Sequence, residues 1–270
     1  MFKKAAEGRK TAFWENTYEE ELQKSGSRHP FDREGVLMLC RIADWYVEVP
    51  AVGDMEERCQ AYRVNEDKKA DIVIRTEDFE PERWPGCCEN VICYMETARL
   101  FYWNILHLDG MMLHSAAVEY KGKAYLFSGP STVGKSTHTR LWREEFGEEV
   151  QFFNDDKPAL RCIDGVWYAY GTPWCGKDGI NQNKKVPLVG ICYLKQAQEN
   201  KIRRLPEKEA MVNTICQSTR KLPAADKMVH LLSIVDKLVR QIPMYELENL
   251  PVPEAARLSY ETMRPTEETR

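Results

Sequence analysis

Glycine, lysine and hydroxyl residues occur at a diagnostic spacing near the middle of this 270-residue chain. Residues 129–137 read GPSTVGKST and fit the Walker A, or P-loop, pattern G-x-x-x-x-G-K-[ST] at every fixed position. In such a loop, backbone N–H groups surround the β-phosphate of a nucleoside triphosphate, the lysine bridges the β- and γ-phosphates, and the next hydroxyl binds Mg²⁺. We therefore predict nucleotide contacts from Gly129, Ser131, Thr132, Val133, Gly134, Lys135, Ser136 and Thr137, with Ser136 as a ligand to Mg²⁺.

The flanking residues supply the elements that such a loop needs. Residues 124–128 form an apolar run with aromatic β-formers, which predicts a short buried strand before the loop. Residues 136–146 lack glycine and proline and are followed by Gly147, which predicts a helix with a glycine stop. A helix-capping loop that carries a lysine by chance is the alternative to a phosphate site.

Two adjacent carboxylates end the next predicted strand. The run at residues 151–156 is apolar and finishes with Asp155 and Asp156, the former twenty residues beyond Lys135. Open α/β sheets bind ligands at the carboxyl ends of their strands, and successive strand residues point to opposite faces. We expect one carboxylate to hold a metal ion and the other to act as a base. A turn that starts with aspartates before Pro158 is the alternative.

These motifs together resemble the core of a known superfamily. The run LHSAAV at residues 113–118, the loop at 129–136 and the triplet Asn154-Asp155-Asp156 are similar to segments of the HPr kinase and ATP-type phosphoenolpyruvate carboxykinase superfamily. A looser similarity to HPr-kinase-like proteins of unassigned substrate extends to about residue 250. The resemblance implies a P-loop kinase that uses ATP and Mg²⁺. It also implies that Asp155 is the catalytic base, that Asp156 binds Mg²⁺, and that His114 lies near the reacting groups.

The chain also departs from both branches of that superfamily. It lacks the glycine- and arginine-containing signature, followed by asparagine-valine, that HPr kinases carry after their aspartate pair, which disfavours HPr as a substrate. It also lacks the additional arginines and metal ligands that carboxykinases place ahead of the loop, which disfavours carboxykinase activity. The resemblance therefore implies a phosphotransferase with a different acceptor.

The expected reaction is transfer of the γ-phosphoryl group of ATP to a hydroxyl. The acceptor could be a serine of a peptide or small protein, or a small-molecule alcohol, and another nucleotide or pyrophosphate remains open as donor. A glycine-rich, cationic loop at residues 171–185 suits contacts with phosphates or an acidic substrate, so Lys177 and Lys184 are predicted contacts; solvated surface lysines are the alternative. A nucleotide-binding regulator or weak NTPase without acceptor chemistry is the alternative function.

Composition limits the classes of protein and partner. Hydrophobic residues make up 43% and charged residues 30% of the chain, as in a globular protein, and the net charge of -4 gives no reason to expect nucleic acid. No apolar run is long enough to span a membrane, and the first residues lack the apolar core of a signal peptide, so we expect a cytoplasmic protein without a membrane partner. The superfamily contains both monomers and closed oligomers, which leaves a homo-oligomer open.

The predicted fold is α/β, a P-loop kinase core with a mixed, strand-rich sheet flanked by helices. A small β-rich N-terminal subdomain is predicted at residues 1–88, with strands at 35–40, 45–49 and 71–75 and a linker at 77–86. The kinase domain is predicted at residues 89–270. Its predicted helices, after that of the loop, lie at 90–108, 207–217, 226–241 and 253–263, and its later strands at 159–170 as a hairpin, at 188–194 and, as an edge strand, at 244–247.

Overall fold

The computed structural model describes residues 36–218 and 225–265. They belong to two compact units, one made of residues up to Arg41 together with Trp45–Phe101, the other of Ile42–Asp44 together with residues from Tyr102 onward. This division falls inside a helix, Glu89–Ile105. The domain boundary after residue 88 stays a prediction.

The first unit contains a small sheet. Its strands are β1 (Leu37–Ile42), β2 (Trp45–Pro50) and β3 (Ile72–Val73), in the order β1-β2-β3 with β2 and β3 parallel. Helix α1 (Met55–Arg58) and three 3₁₀ turns (Gln60–Tyr62, Thr76–Asp78 and Pro81–Arg83) follow the hairpin, and α2 (Glu89–Ile105) closes the segment. The three predicted strands are present with shifted bounds.

A buried carboxylate fixes the segment that was predicted to be a linker. Glu96 is fully buried and accepts hydrogen bonds from the backbone N–H of Glu80 (2.8 Å), from Trp84 Nε1 (2.6 Å) and from Arg99 Nε (3.0 Å). A buried carboxylate is stable only when its oxygens are paired in this way. The residues around Glu80 and Trp84 are therefore packed within the first unit rather than forming a free connection.

The second unit alternates strands and helices. Its strands are β4 (Gly110–Met112), β5 (Ser115–Tyr120), β6 (Lys123–Ser128), β7 (Gln151–Asn154), β8 (Ala159–Ile163), β9 (Val166–Tyr170), β10 (Lys185–Gln196), β11 (Lys201–Arg204) and β12 (Met244–Asn249). Its helices are α3 (Lys135–Phe146), α4 (Glu207–Gln217), α5 (Ala225–Gln241) and α6 (Pro253–Met263). The predicted helices and the 159–170 hairpin are confirmed, with β4 and β11 as additional strands.

Within the described residues, nine strands form one mixed sheet around β10. The order is β4-β8-β9-β10-β6-β5-β7, and β12 pairs with both β10 and β11. Strand β10 pairs with three other strands along successive parts of its length. Its residues 185–187 pair antiparallel with β9, its residues 188–193 pair parallel with β6, and its residues 191–196 pair parallel with β12. Since β12 has neighbours on both sides, its prediction as an edge strand is wrong. Its second neighbour, β11, was not predicted because the residues of β11 are mostly polar.

Helices cover both faces of this sheet. Along β10, Ile191 and Tyr193 enter one core cluster with residues of α4 and α5, whereas Cys192 and Leu194 enter the other cluster with residues of α3 and α6. This alternation follows from the two-residue period of a strand, and apolar residues on both faces are typical of a central strand in a three-layer α/β unit. The prediction of a mixed sheet flanked by helices is confirmed. Among the described helices, none combines the length and the apolar character needed to cross a bilayer.

An aromatic cluster anchors α3 against the sheet. Trp142 is fully buried, packs against Tyr125 and Phe127 at ring distances of 4.9 and 5.3 Å, and donates from Nε1 to Ser259 Oγ in α6 at 2.9 Å. His138 lies one turn earlier, also fully buried, with Nε2 3.1 Å from the same hydroxyl. These contacts hold the helix that begins at Lys135.

Burial of His138 predicts an acid-sensitive fold. Burial lowers the pKa of this imidazole from 6.5 to about 3, so between these values the unfolded chain takes up a proton that the folded chain does not. The free energy of unfolding should therefore fall with decreasing pH, by about 1.4 kcal/mol per pH unit from this residue. Urea denaturation between about pH 6 and pH 4 should show a shallower pH slope for His138→Gln than for the wild type. Equal slopes, or an imidazole that titrates near pH 6.5 by NMR in the folded protein, would contradict this.

Candidate functional site

The strand directions bring four segments to one edge of the sheet. Strand β6 is parallel to β10, and β5 is antiparallel to both β6 and β7, so the carboxyl ends of β6, β7 and β10 share an edge with the amino end of β5. In register, Ser128 lies opposite both Ser115 and Tyr193, and Asn154 lies opposite Ala117. The glycine-rich loop after β6, the aspartates after β7 and His114 before β5 therefore meet at this edge.

The loop from Gly129 to Gly134 has a backbone that most residues disfavour. Gly129, Thr132 and Gly134 have φ angles of 146°, 71° and 109°. A Cβ added to Gly129 would lie 3.0 Å from Val133 Cγ1 and 3.3 Å from the carbonyl oxygen of Leu194, so glycine is required there by space as well as by conformation. The loop leads directly into α3, where N–H groups of the first turn lack helical partners and favour an anion.

Lys135 folds back across this loop. Its ammonium donates to the carbonyl oxygens of Gly129 (3.1 Å) and Pro130 (3.3 Å), and the residue is only 9% exposed. Burial lowers the pKa of Lys135, and the nearby charge of Asp156 opposes that lowering. The lysine therefore lies beneath the loop with its cation directed to the segment that the sequence predicts to bind phosphates.

Asn154 shapes the turn that carries the two aspartates. Its Oδ1 accepts hydrogen bonds from the backbone N–H groups of Asp156 (3.1 Å) and Lys157 (2.7 Å), and its Nδ2 donates to the carbonyl oxygen of Thr172 (3.1 Å). Only 1% of Asn154 is exposed. The strand therefore ends before the aspartates, and the side-chain amide sets the direction in which each carboxylate leaves the turn.

Asp155 is held by the loop that follows β9. Its Oδ1 accepts from the backbone N–H of Gly176 at 2.6 Å and its Oδ2 from that of Asp178 at 3.2 Å. A Cβ on Gly176 would lie 3.0 Å from Asp155 Oδ2, so the loop backbone packs closely on the carboxylate. Burial raises the pKa of Asp155, and the two N–H groups oppose the rise. Arg140 of α3 pairs with Asp178 at 3.1 Å and ties this loop to the helix after the glycine-rich loop.

Asp156 faces a different set of partners. Its Oδ1 lies 3.3 Å from His114 Nε2, and its Oδ2 pairs with the ammonium of Lys157. The other ring nitrogen of His114, Nδ1, lies 3.1 Å from Gln217 Oε1, and the backbone N–H of His114 donates to the carbonyl oxygen of Gln217 at 2.7 Å. Burial lowers the pKa of His114, and the positive charge of Lys135 adds to this effect. The end of α4 thus orients the imidazole, and the imidazole contacts Asp156.

The remaining predicted residues separate into two groups. At the glycine-rich loop, Val133 is half-buried and the exposed residues are Ser131, Thr132 and Thr137. Ser136 is also half-buried, and within the described residues its side-chain hydroxyl makes no hydrogen bond. Lys177 is exposed within the turn over Asp155. Lys184 is not brought to the glycine-rich loop, because its ammonium pairs at 2.7 Å with Glu119. Glu119 lies four residues along β5 from Ser115, the end of the strand nearest that loop, which is a distance of about 13 Å.

A cleft of about 490 Å³ opens beside the loop. It is lined by residues 129–133, by residues 193–196 at the end of β10, and by Asn213, Gln217 and Glu246. Sites for small molecules commonly have volumes of about 300–1,000 Å³ and lie outside the carboxyl ends of parallel strands. The cleft adjoins the β10 side of the glycine-rich loop.

The residues at this edge include oxygen donors that could hold a magnesium ion bound to a nucleotide. Among the described residues, no cluster of three or more histidine, cysteine or acidic side chains could hold a metal ion. Mg²⁺ bound to nucleotides needs only one or two protein ligands, since phosphates and waters supply the rest. Ser136 and Asp156 are oxygen donors of that kind, and the loop before α3 offers N–H groups to phosphates.

Sequence patterns did not assign roles to several residues that shape the site. Asn154 was visible only as part of a motif, although asparagine before aspartates is a signal for a side-chain turn. Gln217 lies 103 residues after His114, so no local pattern could connect them. Asn213 and Glu246 reach the cleft only because α4 and β12 pack beside β10.

Comparisons with known proteins find similarity to solved structures. No protein-family model matches this sequence, and no curated protein matches it. Among solved structures, the chain is similar to the HPr(Ser) kinase/phosphatase from Coxiella burnetii, with 11% sequence identity over 56% of this chain and 92% of that chain and a TM-score of 0.31. A similarity at this level does not indicate a function for this chain.

Substitution of Asn154 tests the turn. Asn154→Ala leaves two backbone N–H groups and one carbonyl oxygen without their partner, and we expect it to lower the free energy of unfolding by about 1–3 kcal/mol. Asn154→Asp retains the acceptor but buries a carboxylate with one oxygen against the carbonyl oxygen of Thr172, so near neutral pH it should be at least as destabilising as alanine. Gln151→Ala on the same strand is the control and should cost about 0.5 kcal/mol or less. Urea denaturation followed by circular dichroism measures all three, and an Asn154→Ala protein as stable as the control would refute the role of the amide.

Proposed function

We propose that this protein is an ATP-dependent kinase that transfers the γ-phosphoryl group to a hydroxyl. The observation that supports it is the convergence at one sheet edge of the loop at residues 129–134, the buried Lys135 and two aspartates with different partners. Phosphoryl transfer needs positioning and charge stabilisation more than covalent chemistry, and these residues supply both.

The donor half of the proposed site is the glycine-rich loop with Lys135. Backbone N–H groups of residues 131–135 would surround the β-phosphate at the positive end of α3. Lys135 already points its ammonium at the loop carbonyls, and a triphosphate in the loop would replace those weak acceptors with charged oxygens. Lys135 would then neutralise the charge that develops between the β- and γ-phosphates during transfer.

The metal half is Ser136 with Asp156. The Ser136 hydroxyl and one oxygen of Asp156 would hold Mg²⁺, which neutralises phosphate charge when bound. His114 and Lys157 keep the Asp156 carboxylate in place from two sides. Gln217 fixes the His114 ring, so the metal ligand is oriented by an unbroken chain of polar contacts from α4.

The acceptor half is built around Asp155. In the proposed reaction the acceptor hydroxyl donates its proton to this carboxylate, the oxygen forms a bond to the γ-phosphorus, and the bond to the β-phosphate oxygen breaks to release ADP. A base that is effective near neutral pH needs a pKa above the usual carboxylate range, and burial shifts the pKa of Asp155 in that direction. The N–H groups of Gly176 and Asp178 fix the direction of its oxygens.

The acceptor itself is proposed by chemical class. A serine of a peptide or small protein, or a small-molecule alcohol, fits a site whose base is a carboxylate. The exposed Lys177 lies next to the two N–H groups that hold Asp155, and in this proposal it would contact an acidic group on the acceptor or the γ-phosphate. Lys184 is left out of this proposal because it pairs with Glu119 away from the loop.

Asp155→Asn separates transfer from binding. The amide oxygen can still accept the N–H of Gly176, but it cannot take a proton from the acceptor. We expect nucleotide affinity to stay within about threefold of the wild type, whereas acceptor-dependent ADP release falls about 100-fold or more, the usual contribution of a general base. Nucleotide affinity is measured by calorimetry with Mg·ATP, and transfer by mass spectrometry of a hydroxyl-acceptor library.

Asp164→Asn is the matched control for this change. Asp164 is exposed in the turn between β8 and β9, and its φ of 50° suits asparagine as well as aspartate. This variant should retain full transfer. Equal activity of Asp155→Asn and the control would exclude Asp155 as the base. Tight ATP binding without transfer to any acceptor would instead favour a nucleotide-binding regulator or weak NTPase.

A further inference from the structure

We propose that the cleft beside the glycine-rich loop binds the nucleoside of the donor, with Asn213 reading the edge of an adenine base and Glu246 holding the ribose hydroxyls. This inference rests on the proposed function, because it assumes that the loop holds the phosphates. It concerns the opposite end of the nucleotide from the transferred group.

The strand order places the cleft and the aspartates on opposite sides of the loop. Strand β6, which leads into the loop, has β10 on one side and β5 followed by β7 on the other. The step from β10 to β7 crosses three strand spacings, about 14 Å. A nucleotide whose β-phosphate lies in the loop and whose γ-phosphate points toward Asp155 must therefore direct its nucleoside toward β10, where the cleft is.

The floor of the cleft offers one carboxylate oxygen for hydroxyl groups. Glu246 lies directly opposite Tyr193 in register, so both side chains lie on the face that α4 covers. Arg203 binds Glu246 only at Oε1, through Nε at 3.0 Å and a terminal nitrogen at 2.9 Å. The Oε2 atom has no partner among the described residues, and the side chain is 22% exposed. A carboxylate oxygen in such a position suits the hydroxyls of a ribose, as in other nucleotide sites.

The wall of the cleft offers a complete amide. Asn213 is half-buried on α4, one turn before Gln217, and within the described residues its side chain makes no hydrogen bond. The other amides are engaged: Gln217 with His114 at 3.1 Å, and Gln196, through Nε2, with the carbonyl oxygen of Thr132 at 3.3 Å. The hydroxyl of Tyr193 is also engaged, at 2.6 Å from that of Thr214. Asn213 is therefore the side chain best able to read a base here.

An asparagine amide matches adenine better than guanine. Its carbonyl oxygen and NH₂ group can pair simultaneously with the exocyclic amine and N7 of adenine, which are a donor and an acceptor. The corresponding edge of guanine presents two acceptors and is matched by arginine or lysine. Lys195, at the rim, already pairs with Glu248 at 3.0 Å. The available groups thus favour ATP over GTP.

The test compares three ligands on the full chain: Mg·ATP, Mg·GTP and Mg·tripolyphosphate, each titrated by calorimetry. In the wild type we expect ATP to bind at least about tenfold more tightly than GTP. Asn213→Ala should weaken ATP binding about tenfold and leave tripolyphosphate binding within about twofold, because only the base loses a partner. Val212→Ala, on the same helix but 59% exposed, is the control and should change neither affinity.

A second arm addresses the ribose. The wild type should bind 2′-deoxy-ATP several-fold more weakly than ATP. Glu246→Gln should reduce this difference in affinity, because a hydrogen bond to a neutral amide is about half as strong as one to a carboxylate. Circular dichroism confirms that each variant is folded.

The outcomes distinguish this inference from the proposed function. If Asn213→Ala binds ATP as tightly as Val212→Ala while Lys135→Ala loses both ATP and tripolyphosphate, the loop assignment stands and the nucleoside assignment is wrong. If Asn213→Ala raises the KM for the acceptor without changing the ATP affinity, the cleft is an acceptor site and the inference is likewise wrong. If the wild type binds neither ATP nor tripolyphosphate, the proposed function itself fails.

Discussion

This site depends on the common direction of three strands: β6 pairs parallel with β10, and β7 runs in the same direction as both. This common direction places three strand ends at one edge, so that short segments far apart in sequence deliver a glycine-rich loop, two aspartates and the rim of a cleft within a few strand spacings. Strand β10 secures the arrangement because it pairs with β9, β6 and β12 along successive parts of its length. Apolar side chains on both of its faces fix its register, since a slip of one residue would exchange the two cores.

Around this edge, charged groups are partly buried and are stabilised by specific partners. Lys135 donates to loop carbonyls, Asp155 accepts two backbone N–H groups, and Asp156 lies between His114 and Lys157. Burial shifts the pKa values of Lys135, His114 and Asp155 toward their neutral forms. Such an arrangement costs stability, and proteins commonly retain it where the groups must act on a ligand. Two adjacent aspartates with different partners can take different roles, as a base and a metal ligand.

The sequence was most informative where the determinants are local. The loop pattern, the strand before it and the helix after it are set by neighbouring residues. The strand predicted at residues 151–156 ends earlier, at Asn154, because the side chain of Asn154 turns the backbone before the two aspartates. Roles that depend on distant residues were not predictable: Gln217 reaches His114 only through the packing of α4, and Lys184 pairs with Glu119 because the loop after β9 runs along β7. The polar strand β11 lacks apolar alternation, so neither it nor the interior position of β12 could be read from a pattern.

A crystal structure with Mg²⁺ and a non-hydrolysable ATP analogue would show where the phosphates and the metal ion bind. We expect β-phosphate oxygens about 3 Å from the backbone N–H groups of residues 131–135, with the γ-phosphate on the side of Asp155 and Mg²⁺ between Ser136 and Asp156. A nucleotide bound away from residues 129–136, or one with its γ-phosphate directed away from both aspartates, would contradict it.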